Sequence, residues 1–291
     1  MFYRRQLETI LERIDKHPDA AYMDNRANYY NKISTPFRVD SVKLGEFKVV
    51  KPSTYFFDAL RYLRYFSPQL SIAYQFGDVT RIPASPTIVK SRPIDGDNQN
   101  AVLMKLNQIR HFHFVHDRIP FEQKKDKMVW RGAAYRRKRR SMVQECYDND
   151  LCDIGQTNKP PEDVPWQKGF MSIAEQLQFK FILCVEGNDV ATSLKWIMSS
   201  NSLCMMPRPA YETWFMEGKL VADHHYVLLK DDFSDLTDKI RYYAEHTEEA
   251  LAIIHNAQQH VGQFQDRSRE DGISLLVLKK YFEQSNQPIG V

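Results

Sequence analysis

The run WRGAAYRRKRR, from Trp130 to Arg140, ends a strand-like segment at Trp130, turns at Gly132 and opens a helical pattern. Free backbone N–H groups at such a helix start can hold a phosphate, and the basic run adds charge. Helical periodicity puts Tyr135, Met142, Val143 and Cys146 on one face and Arg139 with them, while Arg136, Arg137, Lys138 and Arg140 point elsewhere. Those four read as a solvated helix face. Arg139 lies on the inward stripe, where an unpaired charge is costly, so it needs an anionic partner. A ligand phosphate and a structural carboxylate are the two choices.

Three further stretches carry candidate chemistry. VEGNDVATSLKW (185–196) follows a strand and opens a helix, with Asp189 as a possible N-cap and Lys195 placed two turns in to reach a phosphate. It contains neither G-x-G-x-x-G nor a P-loop, and an ordinary capped helix explains it equally well. Asp78 leaves the short apolar strand YQFGD through Gly77, a good place for a general base and also a common place for a turn residue. Asp117 is the next candidate base. His111, His113 and His116 invite a metal reading. On a strand, however, only His111 and His113 share a face, and packing or acceptor contact is favoured over zinc. The triplets Asp95-Gly96-Asp97 and Asp148-Asn149-Asp150 fit a loose D-x-D metal pattern but read as turn formers.

The elements that must position these residues alternate. A helix is expected over 1–17, irregular chain over 18–52, a helix over 54–66, a strand from Leu70 to Phe76 and a strand at TIVK. From Lys127 onward, short apolar strands at 127–130, 151–155, 180–187, 202–206 and 225–229 alternate with helices at about 135–147, 190–199, 234–245 and 247–260. That order predicts an α/β protein with parallel, doubly wound sheets. Two lobes are expected, 1–120 and 121–268, with the last helix (269–291) packing back on the first.

Composition narrows the function. Forty basic and 37 acidic residues leave a net charge of +3, which gives nucleic-acid binding no support beyond the 136–140 run. Hydrophobic residues at 43% suffice for a buried core. The cysteines, at 146, 152, 184 and 204, form no C-x-x-C pair, and Cys184 and Cys204 read as buried thiols of a reducing compartment. The N-terminus is amphipathic and lacks the apolar core of a signal peptide. No stretch reaches the ~18–20 apolar residues of a membrane span. A cytoplasmic protein is expected, with room for peripheral contact at the inner membrane face.

KMVWRGAAYRRKRR, KFILCVEGNDVATSLKWIMSSNSLCMM and YETWFMEGKLVADHHYVLLKDDFSDL together resemble glycosyltransferase family 90, the lipopolysaccharide-modifying group, in its bacterial branch. The resemblance implies a GT-B fold of two Rossmann-like lobes, a UDP-sugar in the cleft between them, inverting chemistry, and no metal or other cofactor. It implies diphosphate contacts from Arg131, Gly132, Arg139 and Lys195. It places nucleotide contacts at Gly187, Asn188, Asp189, Ala191, Thr192 and Ser193, with Glu212 on the ribose hydroxyls. Asp78 matches the family's base by position. Two departures are visible: Ala133 stands where the family has serine, and Ser193 where it has arginine. The implied partners are a UDP-sugar and a saccharide or lipid-linked saccharide acceptor, with a lipopolysaccharide inner core favoured. A metal-dependent D-x-D transferase using Asp95 and Asp97 and a non-enzymatic nucleic-acid binder using the 136–140 helix are the alternatives.

Overall fold

The computed structural model describes residues 2–39 and 41–287, so the last residues of the expected 269–291 segment lie outside it. The chain divides into two compact units: Met1–Arg110, Ala210–Glu217 and Phe264–Val291 form the first, and His111–Pro209 and Gly218–Gln263 the second.

In the first unit, helices α1 (Phe2–Asp15), α2 (Ala20–Tyr30) and α3 (Ser53–Leu63) precede the short strands β1 (Val42–Lys43) to β6 (Ala101–Leu103) in sequence or alternate with them. Strands β3 (Tyr74–Gln75), β4 (Thr87–Val89) and β6 form a parallel sheet in that order, and β1 pairs antiparallel with β2 (Ser71–Ile72). No helix lies between β3 and β4, where Pro83 and Pro86 disfavour one. The α2 helix sits in the segment expected to be irregular. Its buried residues are Met23, Arg26, Ala27 and Tyr30, which have helical spacing, but the charge of Arg26 hides the stripe from a hydrophobicity reading.

A second departure joins distant sequence. Strand β5 (Ser91–Pro93) pairs antiparallel with β11 (Tyr211–Thr213), with Arg92 opposite Glu212. Residues 210–217 thus belong to the first unit, although they lie in the middle of the expected second lobe.

The second unit holds five parallel strands: β7 (Lys125–Gly132), β8 (Cys152–Gln156), β9 (Phe179–Leu183), β10 (Leu203–Met206) and β12 (Val227–Leu228). Their order across the sheet is β12-β10-β9-β7-β8. Every strand is close to where its apolar run predicts it. Between them lie α5 (Arg137–Cys146), α6 (Ile173–Gln176) and α7 (Leu194–Met198), and α8 (Leu236–Glu245) and α9 (Thr247–Gly262) follow β12. The core beneath them includes Met128, Trp130, Met142, Val143, Ile154, Phe181 and Met205, all buried. Helix α4 (Gln108–His111) ends the first unit, and α10 (Arg267–Gln284) returns to it. Among the described residues no helix is long and apolar enough to cross a membrane.

Candidate active site

Strand order locates the site in the second unit. The chain runs from β7 outward to β8, then crosses back to β9 on the other side and continues outward. Between β7 and β9 the order therefore reverses, and the loops leaving those two strands diverge to leave a crevice. Ligands of open α/β sheets bind at such a switch point, outside the carboxyl ends of the strands. The loops concerned are Ala133–Arg136 after β7 and Cys184–Ser193 after β9.

Arg139 joins the two loops. Its Nη2 donates to the carbonyl of Val185 at 2.8 Å, its Nε to the carbonyls of Val185 and Glu186 at 3.1 Å each, and its Nη1 to the carbonyl of Ala133 at 3.2 Å. The guanidinium also lies 5.8 Å from the centre of the Trp130 ring. Gly187 eases this approach, because a Cβ there would stand a tight 3.3 Å from Nη2. Gly132 has a matching role, since a Cβ at that position would meet the Trp130 ring at 2.9 Å. Arg139 points inward, as helical periodicity requires, and Met142, Val143 and Cys146 are buried on the same face. Tyr135 is not part of that face. The helix begins only at Arg137, and Tyr135 is exposed, its hydroxyl donating to the Lys159 carbonyl.

Several expected site residues are placed differently. Arg131 does not face the crevice. Its Nη2 donates to the Asp153 carboxylate on β8 at 2.6 Å, and its Nη1 to the Asp153 carbonyl at 2.6 Å, because alternate strand positions point to opposite sides. Lys195 lies in the first turn of α7 and is fully enclosed. Residues 187–193 remain irregular, so the helix starts four residues later than its apolar pattern suggests. Asp189 is buried and does not cap α7; the N-cap position is Ser193. Ala191 is buried, whereas Gly187, Asn188, Thr192 and Ser193 keep accessible surface.

Glu212 is a core residue of the first unit. It accepts from Arg92 Nε at 2.8 Å and from the Tyr29 hydroxyl, and is 1% exposed. The carboxylate expected on a ribose is thus engaged by Arg92 and Tyr29 within the first unit. Burial and the neighbouring Glu212 carboxylate push the Tyr29 hydroxyl well above its usual range, so it stays a donor. Asp117, the reserve base, is likewise structural. It accepts from Lys124 Nζ at 2.7 Å, Asn201 N at 2.9 Å and Ile119 N at 3.0 Å, and its side chain is 2% exposed.

Asp78 stands at the carboxyl end of β3, beyond Gly77 at φ +103°, and keeps about a third of its side chain exposed (34%). Its Oδ1 accepts from Lys90 Nζ at 2.8 Å. Lys90 follows β4 directly and is 2% exposed, so the ends of two adjacent parallel strands present a carboxylate backed by a buried ammonium. Lys90 was not singled out from the sequence, although it ends the apolar strand TIVK just as Asp78 ends its own. Asp97 accepts from Gln99 N and Nε2 at 3.1 and 3.0 Å, and Asp148 to Asp150 turn the chain after α5. His111 ends α4 and is buried, while His113 and His116 are exposed in the irregular chain beyond, so the three share no strand. Among the described residues no three His, Cys, Asp or Glu side chains are grouped to hold a metal ion.

The family model described as Glycosyl transferase family 90 matches residues 102–269. The O-glucosyltransferase LpsA of Dichelobacter nodosus is 48% identical over 276 residues, covering 94% of this chain and 87% of that protein. The chain belongs to glycosyltransferase family 90. It is therefore a glycosyltransferase, and two members of the basic run are engaged in ion pairs: Lys138 with Asp231 and Arg140 with Glu162. More distant relatives are protein O-glucosyltransferase 3 of Homo sapiens, 28% identical over 57% of this chain and 34% of its own length, and protein O-glucosyltransferase 2 of Danio rerio, 29% identical over 48% and 29%. The matched segment contains the Arg139 crevice, whereas Asp78 lies before it.

The Arg131–Asp153–Lys168 cluster has a consequence for acid stability. Burial raises the Asp153 carboxyl, but hydrogen bonds from Lys168 and Arg131 outweigh it and hold the group below its usual range. A carboxyl with a depressed folded-state pKa contributes stability above its unfolded pKa and loses it as pH falls through the folded one. Asp153→Asn is therefore expected to be less stable at neutral pH and to show a shallower further loss on acidification than the parent. Urea midpoints measured from pH 7 down to pH 3 check this, and parallel curves would assign no linkage to Asp153.

Proposed function

We propose that this glycosyltransferase moves glucose from a UDP-sugar to a saccharide hydroxyl with inversion and without a metal, its two units serving as the lobes of a GT-B enzyme. The Arg139 junction between the loops of β7 and β9 carries the reading. The guanidinium lies where strand order opens a crevice, and such a group suits a nucleoside diphosphate. The nucleotide side of the site is Gly187, Asn188, Thr192 and Ser193, with Gly132 beneath. Asp78 is the base. It takes the proton of the acceptor hydroxyl as that oxygen bonds to the anomeric carbon, while the bond from that carbon to the diphosphate oxygen breaks and UDP leaves. Fixed donors at Arg139 stabilise the charge gathering on the diphosphate, the role a divalent cation has in other transferases.

Glucose is proposed because the 48%-identical relative is an O-glucosyltransferase. A lipopolysaccharide inner-core acceptor, a cytoplasmic location and peripheral membrane contact remain part of the same proposal. Two results test it. EDTA is expected to leave turnover of UDP-glucose unchanged; a large loss restored by manganese or magnesium would overturn the metal-independent mechanism. Arg139→Ala is expected to weaken UDP binding by about 1.5–3 kcal/mol, the scale of a hydrogen bond to a charged group. Calorimetry on a folded variant with unchanged UDP affinity would make Arg139 a loop tie only.

A further inference from the structure

A separate cavity of ≈ 310 Å³ opens in the first unit between α1, α3 and α10. Among the described residues its lining includes four guanidinium groups, Arg13, Arg61, Arg64 and Arg269, against a single carboxylate, Asp271. None of the donor or base residues lines it. Asp271 accepts from Arg61 Nη2 at 2.6 Å and from the Tyr62 hydroxyl at 2.8 Å, which fixes one guanidinium and one aromatic ring at the wall. Arg269 is held by Asp19 at 3.1 Å from the margin. Arg13 and Arg64 are exposed at the rim, and the Arg64 guanidinium lies 5.5 Å from the centre of the Tyr65 ring.

The chemistry of this lining selects a ligand. Guanidinium groups from three helices line the cavity, and the planar fork of arginine binds two oxygens of a phosphate in bidentate fashion. Tyrosine rings and the apolar Ile10, Ile14 and Leu275 offer flat surface for the C–H faces of a sugar ring. Gly272, Met23 and Ile14 meet at the floor. A Cβ on Gly272 would stand 2.4 Å from Met23 Cε and 3.3 Å from Ile14 Cδ1, so α10 touches α1 and α2 there. The volume is at the lower end of small-ligand pockets, the size of one sugar unit with its substituent.

We propose that this cavity binds a phosphorylated saccharide, apart from the donor site. The ligand is either a free sugar phosphate or a phosphorylated unit of the acceptor; only the second source rests on the function proposed above. Calorimetry on the full chain decides, with glucose 6-phosphate, glucose, inorganic phosphate and phosphatidylglycerol vesicles as probes. Glucose 6-phosphate is expected to bind, more tightly than phosphate, with no measurable heat from glucose. Excess UDP should not displace it, which separates this site from the donor site whatever becomes of the donor reading. Arg13→Ala with Arg64→Ala should lower the affinity at least about tenfold. Arg13→Glu, a single change at an exposed position, provides the same test if the double variant unfolds. A phosphorylated acceptor oligosaccharide that binds where free glucose 6-phosphate does so only weakly, with the same arginine dependence, would identify the acceptor as the source. The proposal is overturned if neither saccharide phosphate binds, if a folded variant binds as the parent does, if inorganic phosphate binds equally well, or if only the vesicles bind.

Discussion

Asp78→Asn is expected to lower kcat by about 10²–10⁴-fold, the usual contribution of a general base, while UDP affinity stays within about twofold of the parent. Asparagine keeps the size of the side chain and an oxygen acceptor for Lys90, but it cannot take the acceptor proton. The donor contacts proposed at Arg139 belong to the other unit, so donor binding has no reason to change. The buried Lys90 ammonium 2.8 Å away adds a second measurement. Lys90→Met leaves the carboxylate without its backing cation and should also reduce kcat, with Lys90→Arg recovering part of it. Wild-type turnover by Asp78→Asn would move the base elsewhere, and Asp117 is no longer available for the role. A variant that fails to fold would make Asp78 a turn residue.

The other large effect concerns stability. Glu270→Ala is expected to cost about 3–5 kcal/mol, because removing one partner leaves opposite charges buried without compensation. Glu270 is 2% exposed and accepts from Arg26 at 2.5 Å, Lys105 at 3.2 Å and the Trp214 indole at 2.6 Å. Burial already lowers the pKa of Lys105 against the pull of Glu270, so losing the carboxylate should drive that lysine towards its neutral form. The loss is a large share of the ~5–15 kcal/mol that holds a typical domain together. Urea unfolding compared with Glu270→Gln, which keeps the hydrogen-bond acceptor, separates charge from shape. A loss below about 1 kcal/mol for Glu270→Ala would mean that water reaches the cluster.

The second unit was the more legible in sequence. Its strands are buried on both faces and appear as continuous apolar runs, FKFIL and LCMM among them, with helices of clear period between. The inward turn of Arg139 follows from the same period. The first unit was harder because charged residues fill its core positions. Arg26 and Glu270 meet across 244 residues, and Arg92 and Glu212 across 120, so each alone looks like a surface residue. The exits of the short strands were partly visible: Asp78 was singled out, and Lys90 carries the same signal one strand later.

Sequence alone determined the alternation of strands and helices, the family resemblance and the candidate residues, since these depend on local period and motif order. Only the tertiary structure decided which charges face one another. It committed Arg131 to Asp153, enclosed Lys195 and Asp117, moved Glu212 into the first unit, and brought Arg139 against the carbonyls of Val185 and Glu186. The reason is energetic. A buried charge is stable only beside its partner, and that partner is supplied by strand register and helix packing across long stretches of chain, which no local pattern encodes.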